Sequence, residues 1–148
     1  MSEIRQWFSY DVEPEQLYAA LTEEDQIREW WTVSCNIMPV EGTTGRIEFL
    51  PDGAWVDLAV IELDPDRRVE YEVRGSWMHE TEEWNGTRLH FTIGPDHPFG
   101  AELDLVHSGF TAETACFRAS AKAWAFYLGE SLKSYLESGE GQPRLLAD

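Results

Sequence analysis

Residues 115–137 read ACFRASAKAWAFYLGESLKSYLE. Within them Phe117, Ala121, Trp124, Leu128, Leu132 and Tyr135 recur at spacings of three or four. That spacing predicts one long helix with a single continuous apolar stripe. Gly139 and Gly141 end it, Pro143 forbids a restart, and residues 143–148 read as a frayed tail. A helix with one greasy side needs one greasy surface to lie on, and the preceding chain must supply it.

It does so with strands. Between Val33 and Phe110 short segments alternate apolar and polar residues: Ile47 and Phe49 against Arg46 and Glu48, then Val69, Tyr71 and Val73 against Arg68, Glu70, Glu72 and Arg74. Leu89, Phe91 and Ile93 alternate against Arg88, His90 and Thr92, and Leu103, Leu105 and His107 against Glu102, Asp104 and Val106. Turn signals separate them at Gly42–Gly45, Pro51-Asp52-Gly53, Asp64-Pro65-Asp66, Asn85-Gly86 and Pro95–Gly100. This describes an antiparallel meander with one wet face. Residues 34–40 form a further strand. The strand at 54–63 is apolar on both sides; Val56, Leu58 and Val60 are taken as inward, because Glu62 then falls at its end, and a bulge near Val60 would change that assignment. Ahead of the meander, residues 4–12 alternate as a first strand, Pro14 opens a short helix, and Thr22 caps a second that carries Ile27, Trp30 and Trp31. The fold class is α+β: a curved antiparallel sheet of six or seven strands around a long C-terminal helix, with two short helices after the first strand. Residues 1–148 make one domain.

The chain has 28 acidic and 11 basic residues, a net charge of −17. Such a surface repels phosphate backbones and anionic lipid, so neither nucleic acid nor membrane is expected as a partner. No apolar run approaches the ~20 residues of a membrane helix. The N-terminus lacks the basic start and apolar stretch of a signal peptide, so the chain reads as a cytoplasmic protein. Lysine is scarce, with only Lys122 and Lys133, which suits either a high-salt cytoplasm or an ordinary acidic protein. Cys35 and Cys116 sit in no CxxC pattern and read as buried small hydrophobes.

The opening Ile4…Phe8…Val12-Glu13-Pro14…Leu17-Tyr18-Ala19-Ala20-Leu21, closing on Trp30-Trp31, resembles the START-like (SRPBCC) superfamily. Gly45–Phe49, Val60–Val69, Gly86–Leu89, His107–Phe110 and the Trp124…Leu128…Leu132 helix extend the likeness over nearly the whole chain. It is most similar to the C-terminal domain family of the heat-shock protein 90 ATPase activator homologue. The resemblance implies a helix-grip fold with a cavity between sheet and helix. Within the superfamily it also implies a choice among lipid and hormone carriers, cyclases and chaperone-associated domains.

The residues themselves point to no established catalysis. His79-Glu80-Thr81-Glu82-Glu83 only half matches a zinc-protease helix, and His90 and His107 lie on opposite faces of their strands, so no metal site is expected. His107 and Ser108, as strand neighbours, point apart and cannot pair without a bulge. No cofactor is implied. The expected ligand is a small apolar or aromatic molecule, lined by Trp31, Tyr71, Trp77, Phe91, Leu105, His107, Phe117, Trp124 and Leu128. The alternative for these rings is that they simply fill the core. Two residues are candidates for acid/base chemistry of a cyclase or hydratase kind. One is His107, unless it is only a hydrogen-bonded core histidine; the other is Asp57, if the Trp55 face turns inward. A chaperone-associated interaction module is the third reading, and the chain is expected to be a monomer or weak homodimer.

Overall fold

A computed structural model describes residues 2–49, 53–77, 83–96 and 98–143. Seven strands form one antiparallel sheet: β1 (Ser2–Tyr10), β2 (Ser34–Asn36), β3 (Thr44–Phe49), β4 (Ala54–Asp64), β5 (Arg68–Trp77), β6 (Arg88–Pro95) and β7 (Ala101–Phe110). Their order across the sheet is β1-β7-β6-β5-β4-β3-β2, so β1 crosses to pair with β7 while the rest form a meander. The helices α1 (Pro14–Thr22) and α2 (Glu24–Trp30) fill the crossover between β1 and β2. The C-terminal helix runs as α3 (Ala115–Phe126), a π-turn (Tyr127–Ser131) and α4 (Leu132–Ser138). This is the helix-grip architecture, with seven strands.

One face of the sheet is buried throughout. Ile47, Val56, Leu58, Val60, Val69, Tyr71, Val73, Leu89, Phe91, Leu103, Leu105 and His107 all point into the core, where Trp124, Leu128 and Leu132 of the helix meet them. The Val56 face of β4 is therefore the inner one. An irregularity between Val60 and Glu62 then shifts the register, so that Leu63 lies opposite Val69 and joins the inner side. A second shift, between Asp57 and Leu58, leaves Arg74 as an extra residue in β5 and reverses its alternation beyond Val73.

Three local expectations need revision. Thr22 does not cap α2. Its hydroxyl donates to the Tyr18 carbonyl (2.9 Å), completing the last turn of α1, and Glu23 takes the cap position. Strand β2 stops at Asn36 rather than reaching residue 40, because the next amide, of Ile37, goes to Glu24 Oε2 (3.1 Å) and Val40 N turns back onto the Met38 carbonyl (2.8 Å). The long helix is not uniformly α. In its π-turn Gly129 lies against Phe8 of β1, where a Cβ would stand 3.1 Å from the ring. The Tyr10 hydroxyl donates to the Leu128 carbonyl (2.8 Å) and the Ser131 hydroxyl to the Trp30 carbonyl (2.7 Å). The turn thus seats the helix on β1 and α2 at once. Residues 51–52 of the expected Pro51-Asp52-Gly53 turn, residues 79–82 of the His79–Glu83 run, and tail residues 144–148 lie outside the described residues.

An open sheet has two edges, and here helix side chains occupy both. On β2, Arg28 Nε and Nη2 donate to the Cys35 carbonyl (3.1 and 2.7 Å). On β1, Lys133 Nζ donates to the Ser9 carbonyl (3.1 Å), and Glu137 Oε2 accepts from the Asp11 amide just beyond the strand (2.9 Å). Charges at an edge oppose the addition of a further strand.

Candidate functional site

The helical stripe places Trp124 at the centre of the space between sheet and helix. Four rings from separate parts of the chain surround it. Trp31, just after α2, lies 5.2 Å away between ring centroids; Trp84, between β5 and β6, lies 6.0 Å away and is stacked. Phe91 of β6 and His107 of β7 both stand edge-on at 6.1 Å. Trp30 and Phe49 extend the group beyond Trp31, at 5.6 and 6.3 Å. Such offset and edge contacts bring the positive rim of one ring to the negative face of another.

A chain of hydrogen bonds threads these rings. Trp124 Nε1 can only donate, and it donates to His107 Nδ1 (3.1 Å). That nitrogen must therefore be unprotonated, so Nε2 carries the proton and donates to Thr87 Oγ1 (2.9 Å). The Thr87 hydroxyl passes on to the Trp84 carbonyl (2.6 Å), and Trp84 Nε1 donates to Ser120 Oγ (2.9 Å). His107 is thus a neutral histidine with both nitrogens engaged. Burial, with a smaller contribution from the nearby His90, holds its pKa down to about 3. The arrangement keeps its proton in place and leaves no nitrogen free for proton transfer to a guest.

The structure brings most of the expected lining together. Trp31, Phe91, Leu105, His107, Trp124 and Leu128 are buried in the one core. Tyr71 reaches the group through Phe91 (6.4 Å), with its hydroxyl donating to the Leu21 carbonyl (2.8 Å) and its pKa raised by burial. Phe117 is reached through Phe110, at 5.2 Å. Phe110 points inward because a bulge in β7, with Gly109 at φ +101°, lets both it and His107 face the core 4.6 Å apart.

Trp77 does not belong. Strict alternation from Val73 would turn it inward, but the extra residue Arg74 reverses the parity, and Trp77 lies on the outer face opposite Trp55, 48% exposed. Asp57 is outside as well. It holds Arg46 through Nε and Nη2 (2.7 and 3.1 Å), and that guanidinium lies 4.0 Å over the Trp55 ring. It is a surface ion-pair residue, not a pocket acid. His90 and Ser108 are also outer-face residues, 3.2 Å apart, with Glu70 3.3 Å from the histidine. Among the described residues no group of three or more His, Cys, Asp or Glu side chains is placed to hold a metal ion. Cys35 and Cys116 are both buried and in no disulfide, and burial pushes Cys35 up to about 12.

Residues 11–137 match the family described as Activator of Hsp90 ATPase homolog 1-like protein. The chain belongs to that family. The Aha1 dimer from Colwellia psychrerythraea, solved in solution, is 28% identical with a TM-score of 0.79, over 95% of this chain and 100% of that one. Protein MLL2253 from Mesorhizobium loti is 22% identical with a TM-score of 0.75, covering 86% and 92%. SSP2350 from Staphylococcus saprophyticus shares the fold at 17% identity, TM-score 0.77, covering 97% and 100%. A comparison with curated proteins finds no match.

In this Aha1-like domain, sequence reading missed Trp84, Thr87, Ser120 and Gln6. Trp84 stands on an irregular connection, where no periodicity marks a residue as inward. Thr87 stands just ahead of β6 and Ser120 is a small polar residue on a helix, so neither carries a pattern signal. Gln6 did carry one: it shares the parity of Ile4 and Phe8 on β1. Its amide Nε2 donates to the Ala121 carbonyl of α3 (2.9 Å).

Proposed function

We propose that this chain binds a small, flat, apolar or aromatic molecule between its sheet and its C-terminal helix. The observation that carries this reading is the convergence on Trp124 of rings from the residue after α2, the β5–β6 connection and β6. Ring-lined interiors take guests through area and ring geometry, with a few polar groups setting orientation. The family fold commonly houses hydrophobic ligands, and the domain spans nearly all of the chain. Trp84 is the ring that gives way to a guest. It stands on a connection rather than a strand, and its indole is tied by one side-chain hydrogen bond to Ser120.

The test is calorimetry and thermal shift with 2-naphthol and indole. Saturable binding that raises the melting temperature, together with weaker binding when Trp124→Leu narrows the aromatic surface, is the expected result. No saturable binding at millimolar probe would remove the reading.

A second reading rests on the family match and on the 28% identity to a protein described as an Aha1 dimer. It makes the chain a chaperone-associated module that self-associates weakly. Capture of purified heat-shock protein 90, above that by an acidic control protein, would support it. Equal capture by the two would count against it, and sedimentation velocity would report the dimer.

A further inference from the structure

The buried polar side chains of the interior are nearly all paired, and one atom stands apart. Tyr10, Tyr71, Trp30, Trp84, Trp124 and His107 each have a named partner. Gln6 Oε1 is buried, and among the described residues it is the one buried side-chain nitrogen or oxygen without a partner. The orientation of its amide is settled, because the Ala121 carbonyl can only accept and therefore takes Nε2. The lone acceptor lies at the edge of the ring cluster. Gln6 is opposite Leu105, two residues from the level of His107 on the same strand pair, and Ala121 is one helical turn before Trp124. An amide oxygen left unsatisfied in apolar surroundings is costly, whereas a leucine or methionine of similar size would fit the same place without that cost.

We infer that Gln6 is a specificity-determining residue of the chamber: its Oε1 accepts a hydrogen bond from an N–H or O–H group of the guest. This rests on the ligand-binding reading above and narrows it to aromatic molecules that carry a donor, such as phenols and indoles, over their alkylated counterparts. The orienting group is then on the β1 side, opposite Trp31 and Phe49, so a guest lies along the sheet with its polar end toward β1.

The experiment compares 2-naphthol with 2-methoxynaphthalene by calorimetry on the full chain. These share a ring system but differ in the donor. Wild type is expected to prefer the naphthol by about tenfold, the scale of one neutral hydrogen bond. Gln6→Met should bring the two affinities within about twofold while still binding the ether. Equal affinities in wild type, or a preference that survives in Gln6→Met, overturns the role of Gln6 but leaves the chamber. Failure of both probes to bind overturns the chamber itself. The wild-type ratio needs no variant, so a poorly folding Gln6→Met does not leave the matter open; Gln6→Leu serves as the second substitution.

Discussion

His107 shows how far one side chain departs from what its type suggests. A histidine on the inner row of a strand is a candidate acid or base, yet here its neighbours specify one neutral tautomer. Its folded pKa, about 3, lies below the ordinary 6.5, so the unfolded chain takes up the proton first. This residue therefore contributes no pH dependence above about 6.5, and costs stability progressively as the pH falls from there toward 3. Between pH 6.5 and 4.5 the loss from this group amounts to roughly 2 kcal/mol. Replacing His107 by Gln, which can accept from Trp124 and donate to Thr87, should abolish that part of the slope. Urea titrations of both proteins across the range would show it; parallel slopes would mean that His107 is protonated in the folded state. At the same scale Gly45 is required by close approach rather than by its backbone angle. A Cβ there would run into the carbonyl of Asn36, the last residue of the neighbouring strand, and the Ile37 backbone just beyond it. Gly45→Ala should cost about 1–3 kcal/mol, read as a lower urea midpoint.

Among the elements, the parity of each strand was legible wherever alternation was unbroken. Ile47 and Phe49, Leu89 to Ile93 and Leu103 to His107 are inward as the pattern indicates. Of the bulges, the sequence raised only the one near Val60, and that as a possibility. Arg74, Ile61 and the Gly109 site each add a residue on one strand alone, and whether a residue is extra depends on the strand it faces. Trp77 was misplaced for this reason. Edge protection was equally hidden: Lys133 reaches Ser9 across 124 residues, and Arg28, only seven residues from Cys35, reaches its carbonyl through the turn between α2 and β2, which no periodicity marks. Arg28→Leu removes both donors from the Cys35 carbonyl and puts an apolar side chain beside β2. We expect about 1–2 kcal/mol lower stability and concentration-dependent association seen by light scattering. A variant that scatters no more than wild type would show that β2 is too short to template a further strand.

Over the whole molecule the charge is unevenly spread. Four arginines of the outer sheet face, Arg46, Arg68, Arg74 and Arg88, are matched by Asp57, Glu62, Glu70 and Glu72. The surplus of carboxylates lies elsewhere, as on α1 and α2 with Glu15, Asp25 and Glu29. Exposed pairs of this kind contribute about 0–1 kcal/mol each and weaken in salt. Against them stands the repulsion of 28 acidic groups balanced by 11 basic ones. The repulsion is the larger effect, so raising KCl from 10 mM to 1 M, which cuts the Debye length from ~30 to ~3 Å, should raise the melting temperature by several degrees. A flat or falling curve would show that the ion pairs dominate. The strands, the long helix and the obligation of their apolar sides to meet follow from the residue pattern alone, because burial periodicity is a local property of the chain. Which rings surround Trp124, where the His107 proton sits, and that the Gln6 oxygen is left alone are set by packing between elements. Those depend on register, bulges and the seating of the π-turn, which arise between separate segments, from His107 and Trp124 (17 residues apart) to Gln6 and Ala121 (115 residues apart), and leave no mark on either segment alone.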